Sequence, residues 1–415
     1  MKIAIITDNH HPGGANVACH RLIRALLKQG VGIVHASLEP SPAPSIKHEN
    51  YRPLSLFGGA ARDLSKVSER FLGVGPALWV NRKDLSKQVR KLVEREKPDG
   101  INLHNLHASN LALNLLQVLP LEIPVFWTLH DMWSFTGRCA YSFNCRKFID
   151  TSCDSTCPTS QEYPSLAPPL IAPAIELRRQ FFESKRRLTA ICPSRWLARE
   201  AELGLWKSQQ VEVVANGLDT DCFRPTVPSI ARQALRIPDD GRPVFLSSAA
   251  NFSERRKGGL TLGECLERWK AQKIVVVFLG GASPEVSNPR VETISLGYLH
   301  DDVTKALAYS AADLLVHPAP VDNLPNVVLE SFACGTPVAA FDIGGLSDMV
   351  RPGETGWLAG MPESGALMEM LLTAIKDPGE LGRLSENCRK VALSEYSEEV
   401  LSSGYLQVFK SEFPN

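Results

Sequence analysis

The chain has 415 residues, more than one ordinary hydrophobic core accommodates, so two domains are expected. Hydrophobic residues make up 44%, which excludes a disordered chain, and 45 Lys plus Arg balance 45 Asp plus Glu, which gives no basic field to suggest nucleic acid. The N-terminal M-K-I-A-I-I-T-D meets an acid after four apolar residues, too few for a signal peptide, and no apolar run approaches the ~20 residues that span a bilayer. A soluble, cytoplasmic protein is the expectation, its ten cysteines reduced or in part metal-bound.

Lys2–Ile6 reads as a short apolar strand, followed by Asp8-Asn9-His10-His11-Pro12-Gly13-Gly14. From Ala15 to Gln29, Ala18, Leu22, Ala25, Leu26 and Leu27 fit one helical face. Strand, glycine turn and helix open a doubly wound α/β domain. Gly13-Gly14 is either a plain tight turn or a place where an anionic ligand meets the backbone at a helix start. It is not G-x-G-x-x-G, so a nicotinamide or flavin site is not indicated. Gly32–Leu38 is the next strand, and Glu39–Gly75, rich in Pro, Ser and Gly, reads as variable surface. Lys83–Glu96 is a charged amphipathic helix with Leu85, Val89, Leu92 and Val93 inward.

Asp99–Leu103 is a strand ending in His104-Asn105-Leu106-His107, Ala108–Val118 a helix, and Pro124–Leu129 a strand ending in His130-Asp131. His104, His107 and His130 thus fall at the carboxyl ends of strands in one sheet, the edge where open α/β sheets bind ligands. Cys139, Cys145, Cys153 and Cys157 are spaced C-x5-C-x7-C-x3-C; a structural zinc site is one reading, free thiols or a disulfide pair the others. Pro158–Pro173 reads as an extended surface loop. Glu176–Leu188 is basic and amphipathic: the simpler reading is a surface helix with Leu177, Phe181 and Leu188 inward, the other a helix lying on an anionic membrane or beside a lipid-linked acceptor. Leu188–Cys192 and Val211–Ala215 are strands, with Ser194 an N-cap for the helix between them.

Thr220–Arg242, with three prolines and weak periodicity, is the expected linker. Strand and helix then alternate again: Val244–Ser248, a helix carrying Leu260, Leu262, Leu266 and Trp269, Ile274–Leu279, Val291–Leu296, a helix over Asp301–Ser310, and Asp313–Val316. The loop after Val244–Ser248 carries Arg255-Arg256-Lys257-Gly258-Gly259, a fork-and-point-charge set suited to a diphosphate. In D-N-L-P-N-V-V-L-E-S-F-A-C-G-T-P-V, from Asp322, Pro325 is placed in the first turn of a helix that Gly335 closes. Pro337–Phe341 is then a strand that Gly344-Gly345 ends, and Ser364–Phe413 is mostly helical in pattern. A helix start facing a sheet edge suits phosphate, and a carboxylate one turn further in, Glu330, suits hydroxyls.

These segments resemble the retaining nucleotide-sugar glycosyltransferases of the GT-B fold known as glycosyltransferase family 4. The likeness runs through Pro12-Gly13-Gly14, His130-Asp131, Pro193-Ser194-Arg195-Trp196-Leu197, Asn216-Gly217-Leu218-Asp219, Arg256-Lys257-Gly258 and the run from Asp322 to Gly345. Its most specific part is the acid-x7-acid signature, Asp322 and Glu330, continuing E-S-F-A-C-G-T-P-V. The segment H-D-M-W-S-F-T-G-R-C-A-Y-S-F-N-C, with its later cysteines, resembles a subgroup that builds exopolysaccharides such as colanic acid.

The resemblance implies two Rossmann-like, doubly wound domains facing across a cleft. Residues 1–219 would form the acceptor-side domain (with a Cys-rich insertion at about 137–175), 220–242 the linker, 243–390 the donor domain, and 391–415 a helix crossing back. It implies that Glu330 bonds the nucleotide ribose, that Asp322 with Asn323, Leu324, Pro325, Asn326 and Val327 holds donor sugar and phosphates, and that Lys257 with Arg255 or Arg256 neutralises the diphosphate. Gly13 and Gly14 would abut the donor, His130 would contact the transferred sugar or the acceptor, and His104, His107 and Asp131 would lie on the acceptor side. The donor would be a UDP- or GDP-sugar, the acceptor a glycan or lipid-linked hydroxyl, with peripheral contact at the inner face of the membrane. No cofactor would be required for catalysis. Two features depart from the family pattern. The first signature acid is Asp rather than the commoner Glu, one methylene shorter. The family's basic residue about five before the Lys falls at Asn251-Phe252, and Arg255 is the candidate to compensate. The rival expectations are a nucleotide-sugar epimerase or hydrolase on the same fold, and a non-catalytic sugar-nucleotide-binding scaffold.

Overall fold

The computed structural model describes residues 1–10, 13–38, 44–56, 82–107, 112–184 and 186–413. Pro12, the start of the helix expected from Ala108 and much of Glu39–Gly75 lie outside the described residues. Two compact units are present, Met1–Val214 with the residues from Leu401 onward, and Ala215–Val400. The first contains β1 (Lys2–Thr7), α1 (Gly14–Lys28), β2 (Gly32–Ser37), β3 (Tyr51–Ser55), α2 (Arg82–Glu96), β4 (Gly100–Leu103), α3 (Ala112–Val118), β5 (Val125–Thr128), α4 (Ile171–Glu183), β6 (Leu188–Cys192), α5 (Arg195–Leu203) and β7 (Gln210–Val213). The second contains α6 (Pro228–Leu235), β8 (Val244–Ala249), α7 (Gly259–Glu267), β9 (Ile274–Gly280), β10 (Val291–Gly297), α8 (Asp302–Ala311), β11 (Leu314–His317), α9 (Asn326–Ala333), β12 (Val338–Phe341), α10 (Leu346–Met349), β13 (Gly356–Ala359), α11 (Ser364–Ala374) and α12 (Pro378–Glu395). A last helix, α13 (Glu398–Ser411), begins in the second unit and ends in the first.

Each unit is built on a parallel sheet, ordered β3-β2-β1-β4-β5-β6-β7 in the first and β10-β9-β8-β11-β12-β13 in the second. A parallel sheet needs crossovers, which cover both faces, so its strands are continuous apolar runs rather than alternating ones. In β1, Ile3 and Ile5 pack beneath α1 and α13, while Ala4 and Ile6 face the opposite core with Leu85, Leu115 and Leu197. In the second unit Val244 and Leu246 join Tyr309, Phe332 and Val391, and Phe245 turns the other way to Leu262, Trp269 and Leu371. Both strand orders reverse direction beside the first strand, between β1 and β4 and between β8 and β11. Such switch points leave a crevice at the strands' carboxyl ends.

Four segments differ from the sequence expectation. β3 lies within the stretch read as variable surface; as an edge strand with exposed Arg52 and Pro53 it shows no apolar run. α4 starts at Ile171 and ends at Glu183, because Pro173 falls in its first turn, where no N–H is needed; Leu188 belongs to β6. Inside α4 the buried side chain beside Phe181 is Arg178, not the half-buried Leu177. Residues 220–242, expected as linker, carry α6, with Ala231 and Arg232 buried and Arg232 paired to Asp239 and Asp313.

The C-terminal helix is part of the first unit's core: Phe409, fully buried, meets Phe126 edge-to-face with ring centroids 4.7 Å apart. Phe409→Ala should therefore cost the first unit about 3–5 kcal/mol in a chemical denaturation titration. A loss below about 1 kcal/mol would show that α13 is not integral to that core.

Candidate active site

In the second unit three strand-end loops meet at Asp322. Its carboxylate accepts from Lys257 Nζ at 2.9 Å and from the Asn323 N–H at 3.0 Å, and His317 Nε2 lies 3.6 Å away. Its carbonyl accepts from the Gly345 N–H at 3.0 Å. Lys257 comes from the loop after β8, His317 and Asp322 from the end of β11 and its loop, and Gly345 from the turn after β12. The loops fit this closely because two glycines allow it. Gly258 has φ +70° and a Cβ there would stand 1.9 Å from the Pro318 carbonyl oxygen; Gly344 has φ +66° and a Cβ would stand 2.2 Å from that of Asp322. Burial opposes charge on Asp322, but Lys257 and His317 outweigh it and hold the carboxyl well below the usual carboxylate range.

Pro325, with ψ 126°, caps α9 from outside, and the helix begins at Asn326. Glu330, buried on that helix, accepts from Tyr309 Oη at 2.8 Å. Much of the signature beyond it closes the helix. Ser331 Oγ donates to the Thr336 carbonyl, Thr336 Oγ1 donates to the Tyr309 carbonyl, both at 2.7 Å, and Gly335 takes φ +75°. Arg256 pairs with Glu254 at 2.9 Å, and Arg255 is exposed on the same 3-10 turn. Phe252, where the family carries its extra basic residue, is core, edge-to-face with Phe278. Ser194, as expected, caps α5 by accepting from the Leu197 N–H, and Asp219 accepts from the N–H groups of Asp221 and Cys222, so these two motifs are structural.

In the first unit, the residues after β1, β4 and β5 form a second cluster. Asn16 Nδ2 donates to the Asn9 carbonyl at 3.1 Å, and Asn105 Nδ2 to Asp8 at 3.0 Å, tying the start of α1 to the loop after β4. Gly13 and Gly14 are exposed there, and a Cβ on either would meet nothing within 4 Å, so packing within the unit does not require glycine. His104, His107, His130, Asp131 and Trp133 line a narrow, partly open hollow. His104 Nδ1 lies 3.0 Å from His130 Nε2; His107 Nε2 lies 2.6 Å from Asp131 Oδ2, and His107 Nδ1 lies 3.2 Å from Tyr163 Oη. Burial pushes His130 down to about 4 and His104 well below its usual value, so both imidazoles are neutral at neutral pH. Burial likewise opposes charge on Asp131, but His107 and the Trp133 N–H keep it ionised.

Sequence reasoning had not singled out Asn102, Tyr163, His317 or Tyr309. Asn102 carried a signal, a polar residue inside G-I-N-L, and His317 another, a histidine at a strand end. Tyr309 carried none. The cysteines do not fit a zinc site. Among the described residues no group of His, Cys, Asp and Glu is arranged to hold a metal, and the four thiols are free. The space beside Cys139 and Cys157 is taken by the Thr159 hydroxyl, 3.8 Å from each sulfur, and by the Arg138 guanidinium, which donates to the Thr159, Glu162 and Pro164 carbonyls. The four arginines of the Glu176–Leu188 segment are engaged within the unit. Arg178 lies 4.0 Å over the Trp133 ring, Arg179 pairs with Glu176 and Glu183, Arg186 lies 4.6 Å over Phe181, and Arg187 donates to the Glu412 carbonyl. No helix among the described residues is long and apolar enough to cross a membrane.

Two doubly wound units whose chemistry-bearing residues sit at the switch points define the GT-B class of fold. Solved structures share it over the whole chain. Sucrose-phosphate synthase from Thermosynechococcus elongatus superposes with a TM-score of 0.69 at 21% identity over 99% of both chains. HepE from Anabaena, solved with UDP and glucose, superposes with a TM-score of 0.66 at 17% identity over 99% of this chain and 100% of its own. The family profile "Glycosyltransferase Family 4" matches residues 12–222, and "Glycosyl transferases group 1" matches residues 242–377. The chain belongs to glycosyltransferase family 4. Among relatives, WcaC of Escherichia coli (strain K12), a glycosyl transferase named for colanic acid biosynthesis, is 27% identical over 266 residues, 60% of this chain and 62% of WcaC. The chain spans between 45% and 62% of the length of the curated relatives it matches.

The depressed histidines have a consequence for stability. His20 and His130 titrate at about 4 in the folded chain against 6.5 when unfolded, and His35 and His104 well below 6.5. In that window the unfolded chain binds protons that the folded chain refuses, so stability is present above about pH 6.5 and is lost as pH falls toward about 4. Asp322 adds loss in the same direction only at lower pH, below its unfolded value of 3.8. Denaturant titrations at about pH 7 and about pH 5 should show the first unit weaker at the lower pH; equal midpoints would contradict the burial of these imidazoles.

Proposed function

We propose that the protein transfers a glycosyl group from a nucleotide-diphosphate sugar to a hydroxyl of a glycan or lipid-linked acceptor. The anomeric configuration is retained, no catalytic divalent metal takes part, and the setting is the assembly of an exopolysaccharide. The observation that carries the reading is the Lys257–Asp322 pair at the switch point of the second unit, locked to the Gly344-Gly345 turn. As the sugar–phosphate bond breaks, negative charge grows on the departing diphosphate, and a fixed ammonium there stabilises that charge without reorganising. Lys257 supplies it, with Arg255 and Arg256 on the same turn. The N-terminal N–H groups of α9, from Asn326 and Val327, face phosphate, and Asp322 with Asn323, Leu324 and Pro325 shapes the sugar end. Glu330 accepts from a ribose hydroxyl beside Tyr309. In the first unit Gly13 and Gly14 leave room for the donor at the start of α1. His130 meets the transferred sugar or the incoming hydroxyl, and His104, His107 and Asp131 stand behind it.

UDP and UDP-glucose, both held by HepE, favour a UDP-sugar as the first donor to test, with a GDP-sugar second. The likeness to WcaC favours a cell-surface polysaccharide acceptor. A thermal-shift screen of UDP-, GDP-, ADP- and TDP-sugars selects the donor, and product analysis with that donor tests transfer. Lys257→Ala should lower kcat/KM about 10²–10³-fold with folding intact, and Glu330→Ala should raise KM more than it lowers kcat. Free sugar formed at the same rate without acceptor would mark a hydrolase, and an isomerised donor an epimerase. Full turnover by either variant would overturn the site.

A further inference from the structure

Between β5 and α4 the first unit sets two thiols against one hydroxyl. Cys139 Sγ and Cys157 Sγ each lie 3.8 Å from Thr159 Oγ1, so the two sulfurs are no further apart than twice that distance. The Arg138 guanidinium, 2% exposed, stands at the same point, with Nη1 3.9 Å from Cys139 Sγ and 3.1 Å from Thr159 Oγ1. The two thiols differ in character. Cys139 is buried, and burial pushes its thiol up to about 11. Cys157 is half-buried, and burial opposes its charge too. There the Thr159 N–H, the Thr159 hydroxyl and Arg138 outweigh burial and bring the thiol below its usual range. A partly exposed, thiolate-prone sulfur thus stands near a buried one, the arrangement of an attacking and a resolving thiol. Cys153 is engaged elsewhere, accepting from the Gly137 N–H, and burial raises its thiol. The same guanidinium ties down the loop that follows, donating to the carbonyls of Thr159, Glu162 and Pro164. Within that loop Tyr163 Oη lies 3.2 Å from His107 Nδ1, at the hollow.

We propose that Cys157 and Cys139 form a dithiol that hydrogen peroxide oxidises, Cys157 attacking and Cys139 resolving, and that the resulting disulfide displaces Thr159 and the loop up to Pro164 from their place beside the hollow. In the first step the Cys157 thiolate attacks one peroxide oxygen. An S–O bond forms, the O–O bond breaks, and the departing hydroxide takes a proton to become water, leaving a sulfenic acid. In the second, Cys139 sulfur attacks Cys157 sulfur; the S–S bond forms, the S–O bond breaks, and the hydroxide that leaves takes the Cys139 proton as a second water. Two thiols are oxidised by two electrons in all, and one peroxide is reduced to two waters. The Thr159 hydroxyl, in contact with both sulfurs, must move aside for that bond, and its carbonyl is one of the three that Arg138 holds. The disulfide is argued from contacts of the first unit alone; its effect on turnover rests on the glycosyl-transfer reading.

The test treats the reduced full-length protein with hydrogen peroxide near neutral pH, blocks the remaining thiols with iodoacetamide and maps the peptides by mass spectrometry. The expected result is a cross-link joining the Cys139 and Cys157 peptides, lost again on treatment with a phosphine reductant. This map needs no variant that might fail to fold. Cys139→Ser should stop the reaction at a Cys157 sulfenic acid that dimedone captures, and Cys157→Ser should leave Cys139 unoxidised. A cross-link through Cys145 or Cys153 instead, or no cross-link while other thiols oxidise, would overturn the pair. So would about one zinc per chain in protein purified without chelator, since thiolates bound to a metal are not a dithiol. With the donor selected above, the oxidised protein should lose at least about threefold in kcat/KM and regain it on reduction. Unchanged turnover in fully cross-linked protein would overturn the link to the hollow while leaving the disulfide standing. Absence of any transferase activity in the reduced protein, with the cross-link as expected, would instead count against the glycosyl-transfer reading.

Discussion

A buried carboxylate must be compensated, and the way Asp322 is compensated organises the strand-end loops of the second unit. Removing a charge from water costs several kcal/mol unless geometry and hydrogen bonds restore what solvation supplied. Asp322 finds Lys257, His317 and its own neighbour's N–H, each from a strand-end loop at the switch point, while its carbonyl takes the Gly345 N–H. Lys257 is the cation among them, and without it the carboxylate would be buried with only weaker partners. The loops are thus bound to one another through one residue, and Gly258 and Gly344 are glycine because their backbones approach too closely for a Cβ. Under the proposed function, the contacts that would set an ammonium beside a leaving diphosphate are the same contacts that hold three loops together, so Lys257 is fixed in place.

The first unit solves a similar problem with neutral groups. Asn102, His104 and Thr128 are buried polar residues in or beside strands that are otherwise apolar, and each is satisfied by the next. Such a network gives up little to desolvation because no charge is buried, and it gains direction: donors and acceptors can be satisfied in only one order. Asp131 and His107 form a separate pair on the same hollow, so an ionised carboxylate stands beside the neutral imidazoles of His104 and His130. α13 secures both the core, through Phe409, and the polar chain, through Tyr405.

The architecture was legible in the sequence where physics leaves a strong local trace. Strands covered on both faces are unbroken apolar runs, and glycine-bearing turns follow them, so the alternation of β1, α1, β2 and of β8, α7, β9 could be read directly. The strand-end placement of His104, His130, Lys257 and Asp322 followed from that alternation. What was not legible was tertiary. The edge strand β3 has no apolar run, and α4 is hidden behind prolines that its first turn tolerates. Cysteine spacing suggested zinc, but spacing says nothing of the Arg138 guanidinium and Thr159 hydroxyl beside those sulfurs. Tyr309 beside Glu330 and His317 beside Asp322 are neighbours only in space. The signature E-S-F-A-C-G-T-P-V marked a functional run, yet Ser331, Gly335 and Thr336 in it serve to end a helix.

If Asp322 serves the proposed site by holding Lys257, the two residues are coupled in nucleoside-diphosphate affinity, and a double-mutant cycle measures that coupling. Dissociation constants for the diphosphate of the selected donor would be measured by calorimetry for wild type, Lys257→Ala, Asp322→Asn and the double variant. Strong coupling is expected, about 1–3 kcal/mol, with Asp322→Asn costing little once Lys257 is gone. Additivity within about 0.5 kcal/mol would show that the two residues act on the diphosphate independently and would contradict it.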